Sequence, residues 1–200
     1  HVPTALLLAR NGCHVFVEKP LSDRLEGIDE LLAECYASDL RLMVGYVLRF
    51  LRPLQRLRAV LHRGGIGRPL SARIEVGQYL PDWRPGGDYR DTASAKRALG
   101  GGAVLELSHE LDYARWLLGE VAAVSAHIGQ CGDLEIDVED TVEAVLEFAD
   151  GPVCSLHLDM LQRKPVRTCR LVGTEGVLEW DGIGGSASIW TNASEDCTEI

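Results

Sequence analysis

The chain has 200 residues, 46% apolar and 25% charged, enough to bury a real core as one large domain or two small ones. Its net charge of −10 argues against a nucleic-acid partner and against adsorption on an anionic membrane. No apolar run reaches the roughly 18 residues that a membrane span needs.

The six cysteines, Cys13, Cys35, Cys131, Cys154, Cys169 and Cys197, are scattered, with no Cys-x-x-Cys pair and no histidine at zinc-ligand spacing. They read as reduced residues of a cytoplasmic protein rather than as a disulfide set or a metal site. The opening His1-Val2-Pro3-Thr4-Ala5 has no basic stretch ahead of an apolar one, so it is not a signal peptide. It starts inside an element and without Met, and the expectation is a fragment.

In chain order, residues 3–11 read as a helix with Pro3 near its start and Gly12 past its end. Residues 14–18 form a strand that stops at Glu18-Lys19-Pro20, because Pro20 has no N–H for a ladder. Ser22 is the expected N-cap of a helix over 23–37, with Leu25, Ile28, Leu31, Leu32 and Cys35 at helical spacing. Residues 40–46 give a second strand, and helix–strand–helix–strand is the rhythm of a doubly wound parallel sheet. Pro53 opens a helix over 54–63, and residues 71–79 alternate as a strand with one polar face. The turn-rich stretch 81–99 is a long loop of the kind that often carries function. Gly100-Gly101-Gly102 leads into a helix over 103–118, closed by Gly119. Strands are expected over 122–129, 140–149, 152–161, 167–173 and 176–181, with Asp150-Gly151 as a hairpin turn. After Asp181 no closing element is expected. The fold class is thus α/β plus α+β: residues 1–47 as the last part of a Rossmann-type parallel sheet, then 48–200 as an α+β domain with an open, mainly antiparallel sheet.

Two places suggest chemistry. Lys19 stands at the carboxyl end of a strand, the edge where open α/β sheets bind ligands, although a solvated strand end is the plainer alternative. Glu106, His109 and Asp112 recur at i, i+3 and i+6 of the expected helix 103–118. A histidine flanked by carboxylates suits a proton acceptor, because a carboxylate orients the ring and stabilises the imidazolium. The plainer alternative is a charged helix surface that also includes Glu110. The three glycines ahead of the helix would let the backbone approach a flat ligand.

Six motifs fall in a distinctive order: His1-x-Pro3-x-Ala5; Gly12-x-His14-Val15-x-Val17-Glu18-Lys19-Pro20; Gly45-Tyr46-x-x-Arg49-Phe50-x-x-Pro53; Gly100-Gly101-Gly102; His109-x-x-Asp112; and Trp116-x-x-Gly119. From residue 1 to about 180 this order resembles the Gfo/Idh/MocA family (glucose–fructose oxidoreductase, inositol dehydrogenase, rhizopine catabolism). The resemblance implies an oxidoreductase using NAD or NADP, with a nucleotide-binding Rossmann domain and a C-terminal domain that faces the substrate. It implies that Lys19 hydrogen-bonds the reacting hydroxyl, next to a Lys–Pro bond that is often cis. His109 would be the general acid/base, with Glu106 in place of the usual orienting aspartate, which lies four residues before the histidine. It further assigns Glu18, Lys19, Pro20 and Arg49 to the cofactor, and Lys19, Trp83, Arg84, Tyr89, His109 and Asp112 to a sugar-like or cyclitol substrate. The loop aromatics suit sugar faces and the arginines suit acidic groups.

The family's G-x-G-x-x-G turn is absent, so this chain alone is expected to bind NAD(P) poorly. Apolar alternation in 140–161 is expected to make the open sheet face sticky, covered by pairing into a homodimer or homotetramer. The competing reading is a non-catalytic dinucleotide or sugar sensor on the same scaffold.

Overall fold

In a computed structural model the described residues are 1–191 and 194–200, the last segment by its backbone alone over 194–197. The side chain of Cys197 lies outside the described residues. The chain divides into two compact units, His1–Val47 and Leu48–Ile200.

The first unit runs α1 (Val2–Arg10), β1 (Val15–Val17), α2 (Ile28–Ala37) and β2 (Leu42–Val44). β1 and β2 pair in parallel, Val15 opposite Leu42 and Val17 opposite Val44. Ala5 and Ala9 of α1, Val15 and Val17 of β1, and Leu31 and Cys35 of α2 close a small core. α2 begins five residues later than the sequence reading places it. The Ser22 hydroxyl accepts from the Arg24 N–H at 3.2 Å, which makes a local turn, and Gly27 at φ 77° precedes the helix. Leu25, expected on the buried stripe, is therefore exposed.

The second unit adds α3 (Arg52–His62), β3 (Pro69–Gly77), α4 (Ala103–Glu106), α5 (His109–Leu118) and β4 (Val121–Gly129). It continues through β5 (Thr141–Phe148), β6 (Val153–Asp159), β7 (Val166–Gly173), β8 (Gly176–Asp181), β9 (Ser186–Thr191) and β10 (Ser194–Glu199). Among the described residues eight strands form one sheet in the order β10-β9-β8-β7-β3-β6-β5-β4, with β3 and β6 parallel and every other pair antiparallel. The Asp150-Gly151 hairpin stands between β5 and β6, with Gly151 at φ 102°. After Asp181 the sheet continues through β9 and β10, two strands that the sequence reading did not expect. Gly182–Gly185 is a turn rather than a tail, and Ala187 behind it alternates into the core.

One face of the sheet is apolar and covered. Ile74, Val76, Val142, Leu146, Leu156, Leu158, Leu171 and Leu178 pack with Leu54, Leu57 and Leu61 of α3 and with Tyr113 and Leu117 of α5. Arg58 of α3 ties the two helices, its guanidinium 4.8 Å above the Trp116 ring and its Nε donating to the Trp116 carbonyl at 3.3 Å. The period-2 pattern of β5 and β6 therefore points its apolar residues at the helices. The opposite face carries Arg73, Glu75, Glu143, Glu147, Ser155, His157, Arg170 and Glu179, with Val145 and Val153 among them. The expected stickiness of 140–161 is corrected accordingly: its open face is mostly polar. No described helix is long and apolar enough to cross a membrane.

Candidate functional site

In the first unit, β1 ends at Glu18-Lys19-Pro20 beside the end of β2. The Gly45 N–H donates to the Val17 carbonyl at 2.7 Å, so the two strand ends stay in register. A side chain at Gly45 would put its Cβ 3.3 Å from Glu18 Oε2 and from Phe16 Cζ, so glycine keeps this edge low. The Lys19–Pro20 peptide is cis. Lys19 and Pro20 are half-buried and Glu18 is exposed. Backbone carbonyls, a short glycine and a lysine thus meet at the carboxyl edge of a parallel pair, the edge at which such sheets hold ligands.

In the second unit the helix expected over 103–118 is two helices. α4 ends at Glu106, Leu107 leaves helical geometry at φ −99° and ψ 23°, and α5 begins at His109. Glu106 and His109 therefore flank a break rather than share one continuous face. Glu106 Oε1 accepts from the Ser94 hydroxyl at 2.9 Å, which ties the end of α4 to the 81–99 loop. Asp112 is bound by Arg49 through two nearly parallel bonds, Nε to Oδ2 at 2.8 Å and Nη2 to Oδ1 at 2.7 Å. Two residues that the resemblance assigns separately, to cofactor and to substrate, thus form a single fork-on-carboxylate pair.

Gly101 and Gly102, before α4, approach protein and not an open ligand surface. A Cβ at Gly101 would stand 2.4 Å from the Ala93 carbonyl oxygen and 2.5 Å from that of Ser94. Gly102, at φ 109°, lies against the Glu139 carboxylate. This corrects the reading of the triplet: Gly101 presses the start of α4 onto the preceding loop, and Gly102 presses it onto Glu139. That loop winds through four short 3-10 turns, Leu80–Asp82, Tyr89–Asp91, Ala93–Ala95 and Arg97–Leu99. Trp83, Arg84 and Tyr89 do come together there, around a dimple of about 10 Å³ that Ser94 also lines. Trp83 Nε1 donates to the Gln78 carbonyl at 3.1 Å, and the Tyr89 hydroxyl accepts from the Glu135 N–H at 3.1 Å. Asp88 and Glu135 both hold Arg90, and the guanidinium keeps the Asp88 carboxyl at about 2. The loop is thus pinned by its own side chains, and Arg84 is exposed.

Two groups escaped the sequence reading. Glu110 is fully buried and takes Arg167 of β7, Nε to Oε1 at 2.8 Å. The signal was present: residues 110, 113, 114 and 117 form the buried stripe of α5, and a glutamate on such a stripe needs a partner. On the open sheet face His157 has both ring nitrogens on carboxylates, Nδ1 at 2.6 Å from Glu143 and Nε2 at 2.7 Å from Asp159. Burial works against its charge, and the bonds to Asp159 and Glu143 outweigh burial, so its pKa lies above the ordinary value. Among the described residues no cluster of histidine, cysteine and carboxylate has a metal site's arrangement.

Comparison with known proteins agrees with this layout. Residues 1–46 match the family model described as oxidoreductase family, NAD-binding Rossmann fold, and residues 54–179 match the GFO/IDH/MocA C-terminal domain. The chain is 31% identical over 161 residues to myo-inositol 2-dehydrogenase of Thermotoga maritima, which covers 76% of this chain and 44% of that protein. It is 29% identical over 181 residues to 1,5-anhydro-D-fructose reductase of Ensifer adhaerens, 89% of this chain and 53% of that protein. Among solved structures, the WlbA dehydrogenase of Bordetella pertussis in complex with NADH and UDP-GlcNAcA superposes with a TM-score of 0.85 at 26% identity, covering 98% of this chain and 57% of that one. The inositol dehydrogenase homologue of Azotobacter vinelandii complexed with NAD+ shares the fold at a TM-score of 0.88 and 16% identity, covering 100% of this chain and 54% of that one. The chain spans about half the length of the relatives it matches. With both units matched in order, and the second from within α3 to within β8, the chain belongs to the Gfo/Idh/MocA family.

Proposed function

We propose that the protein of which this chain forms part is an NAD(P)-dependent oxidoreductase that moves a hydride between nicotinamide and a secondary alcohol or ketone of a sugar, amino sugar, nucleotide sugar or cyclitol. The observation that carries this reading is the retention of Lys19 at a parallel strand end and of His109 at the first position of α5, in a chain whose two units match a nucleotide-binding and a C-terminal domain of one enzyme family.

Glu18, Lys19 and Pro20 at the strand edge, and separately Arg49, are the proposed contacts for such a cofactor. The cofactor supplies the hydride acceptor, and the protein's part is positioning and proton handling. Lys19, as an ammonium, donates a hydrogen bond to the reacting hydroxyl oxygen and lowers the cost of its deprotonation. Neutral His109 takes the hydroxyl proton and returns it in the reverse direction. Glu106, held by Ser94, is the proposed carboxylate that favours the imidazolium, while the charge of Asp112 is balanced by Arg49. Trp83, Arg84, Tyr89 and Asp112 are the proposed substrate contacts.

The relatives named for myo-inositol and for 1,5-anhydro-D-fructose support a polyhydroxylated ring as substrate. Assembly into a homodimer or homotetramer through the open sheet face is proposed from the family resemblance and not from apolar stickiness, and a monomer in light scattering on the full-length protein refutes it. The function is tested by the pH dependence of kcat/KM in the full-length protein. A limb in the histidine range that is lost in His109→Asn supports the proposal, and a limb that survives in that variant refutes His109 as the base.

A further inference from the structure

The first turn of α5 is gripped from two sides. Arg49, just ahead of α3, holds Asp112, and Arg167 of β7 holds Glu110. His109 precedes both carboxylates on the same turn. The Glu110 side chain is fully buried, and that of Arg167 is only a quarter exposed. A buried ion pair is a poor route to stability, since well-packed apolar residues often serve as well or better. What a guanidinium fork adds is direction, because it fixes the plane and rotation of the carboxylate it binds.

The surroundings are shaped for this arginine. Gly182, in the turn after β8, donates its N–H to the Arg167 carbonyl at 2.7 Å. A Cβ at Gly182 would stand 2.7 Å from Arg167 Cγ and 2.8 Å from Trp180 Cη2, so only glycine leaves room for the arginine stem between strand and turn. Tyr113, one turn beyond Glu110, sits edge-on to Trp180 with ring centroids 5.7 Å apart. Glu110 and Tyr113 on the helix thus meet a seat formed by β7, β8 and the turn that follows.

We infer that Glu110 and Arg167 are positioning residues for His109: their pair fixes the rotation and height of the first turn of α5 on the sheet, and so the direction in which the imidazole is presented. This rests on the reading of His109 as the proton acceptor, and the test reads the ring itself, so the two can fail separately.

The ring resonances of His109 are followed by heteronuclear NMR in the chain, assigned by their loss in His109→Gln. Glu110→Gln and Arg167→Gln are compared with Arg170→Gln. Arg170 lies on the same strand with its side chain on the opposite face, in an exposed pair with Glu179 at 3.1 Å. The expected result is a shifted or broadened His109 ring signal in the first two variants and an unchanged signal in the third. Arg167→Lys, which keeps the charge and loses the fork, is expected to fall between. In the full-length protein kcat is expected to drop by about tenfold or more, with KM for the dinucleotide moving less than about twofold. An unchanged His109 signal in a folded Glu110→Gln or Arg167→Gln variant overturns the inference and leaves the pair as a brace for the helix alone. If the neutral variants fail to fold, Arg167→Lys decides: a shifted signal supports the inference and an unchanged one overturns it. Absence of turnover in the unmodified full-length protein refutes the functional reading while the NMR result stands.

Discussion

Tyr113→Phe is expected to leave the larger unit at least as stable as before, which is an unusual outcome for a change at a fully buried position. The hydroxyl of Tyr113 is buried with no hydrogen-bond partner among the described residues, and the burial, with Glu110 nearby, raises its pKa well above the ordinary value. A desolvated hydroxyl without a partner costs about 1–3 kcal/mol, and phenylalanine removes that cost while keeping the ring. The edge-on contact with Trp180 is retained, since it depends on the ring rather than on the oxygen. A small void left by the oxygen offsets part of the gain, so the expected net is about 1 kcal/mol of stabilisation, or roughly 2–4 °C in Tm for a chain of this size.

Tryptophan fluorescence in a urea titration measures it. Trp83, Trp116, Trp180 and Trp190 all lie in Leu48–Ile200, so the signal reports that unit by itself. The midpoint is expected to rise at constant slope. Tyr113→Ala, by contrast, is expected to lose about 3–5 kcal/mol with the ring. A loss of more than about 1 kcal/mol in Tyr113→Phe refutes the reasoning, because it requires that the hydroxyl be satisfied in the native state.

Three further outcomes follow from the geometry. His157 bridges Glu143 and Asp159 with a raised folded pKa. Its stabilisation is therefore complete below about pH 6.5, the unfolded value, and is lost as pH rises through the folded value. The loss is on the order of 1 kcal/mol, visible in urea midpoints measured from pH 6 upward and absent in His157→Gln. Gly101→Ala is expected to cost about 2 kcal/mol or more, since the new Cβ meets two backbone carbonyl oxygens that cannot move aside singly, and thermal unfolding reads it. Asp140→Ala strands the Cys131 and Gly132 N–H groups and the Thr141 hydroxyl, which the buried carboxylate now accepts at 2.8, 3.0 and 2.8 Å. A loss of about 2–4 kcal/mol is expected, and a neutral result in the same titration contradicts it.

Local pattern carried much of this fold. β3 and the β5–β6 hairpin were readable because period-2 alternation and the Asp150-Gly151 turn are both local signals. α3 was readable from Pro53 at its start and Gly64-Gly65 past its end. What local pattern could not show depends on distant partners. The break between α4 and α5 leaves no proline or glycine at Leu107 or Ser108. The α2 start was misread because Ser22 closes a turn of its own, which a hydroxyl does as readily as it caps a helix. The pairs Arg49–Asp112 and Glu110–Arg167 join residues more than fifty positions apart, beyond any helical or strand spacing. The motifs that carry the family resemblance were legible as an ordered set. The loop aromatics were legible only as composition, and the structure shows that Trp83 and Tyr89 spend their polar atoms on the loop itself.

The central claim is tested most directly in the full-length protein, by following reduced nicotinamide absorbance across a panel of sugars, cyclitols and nucleotide sugars with NAD and NADP, beside Lys19→Ala and His109→Ala. The account predicts turnover with at least one polyhydroxylated ring, reduced about a hundredfold or more in each variant. Tight dinucleotide binding without turnover on any member of the panel, or turnover undiminished in His109→Ala, would contradict it.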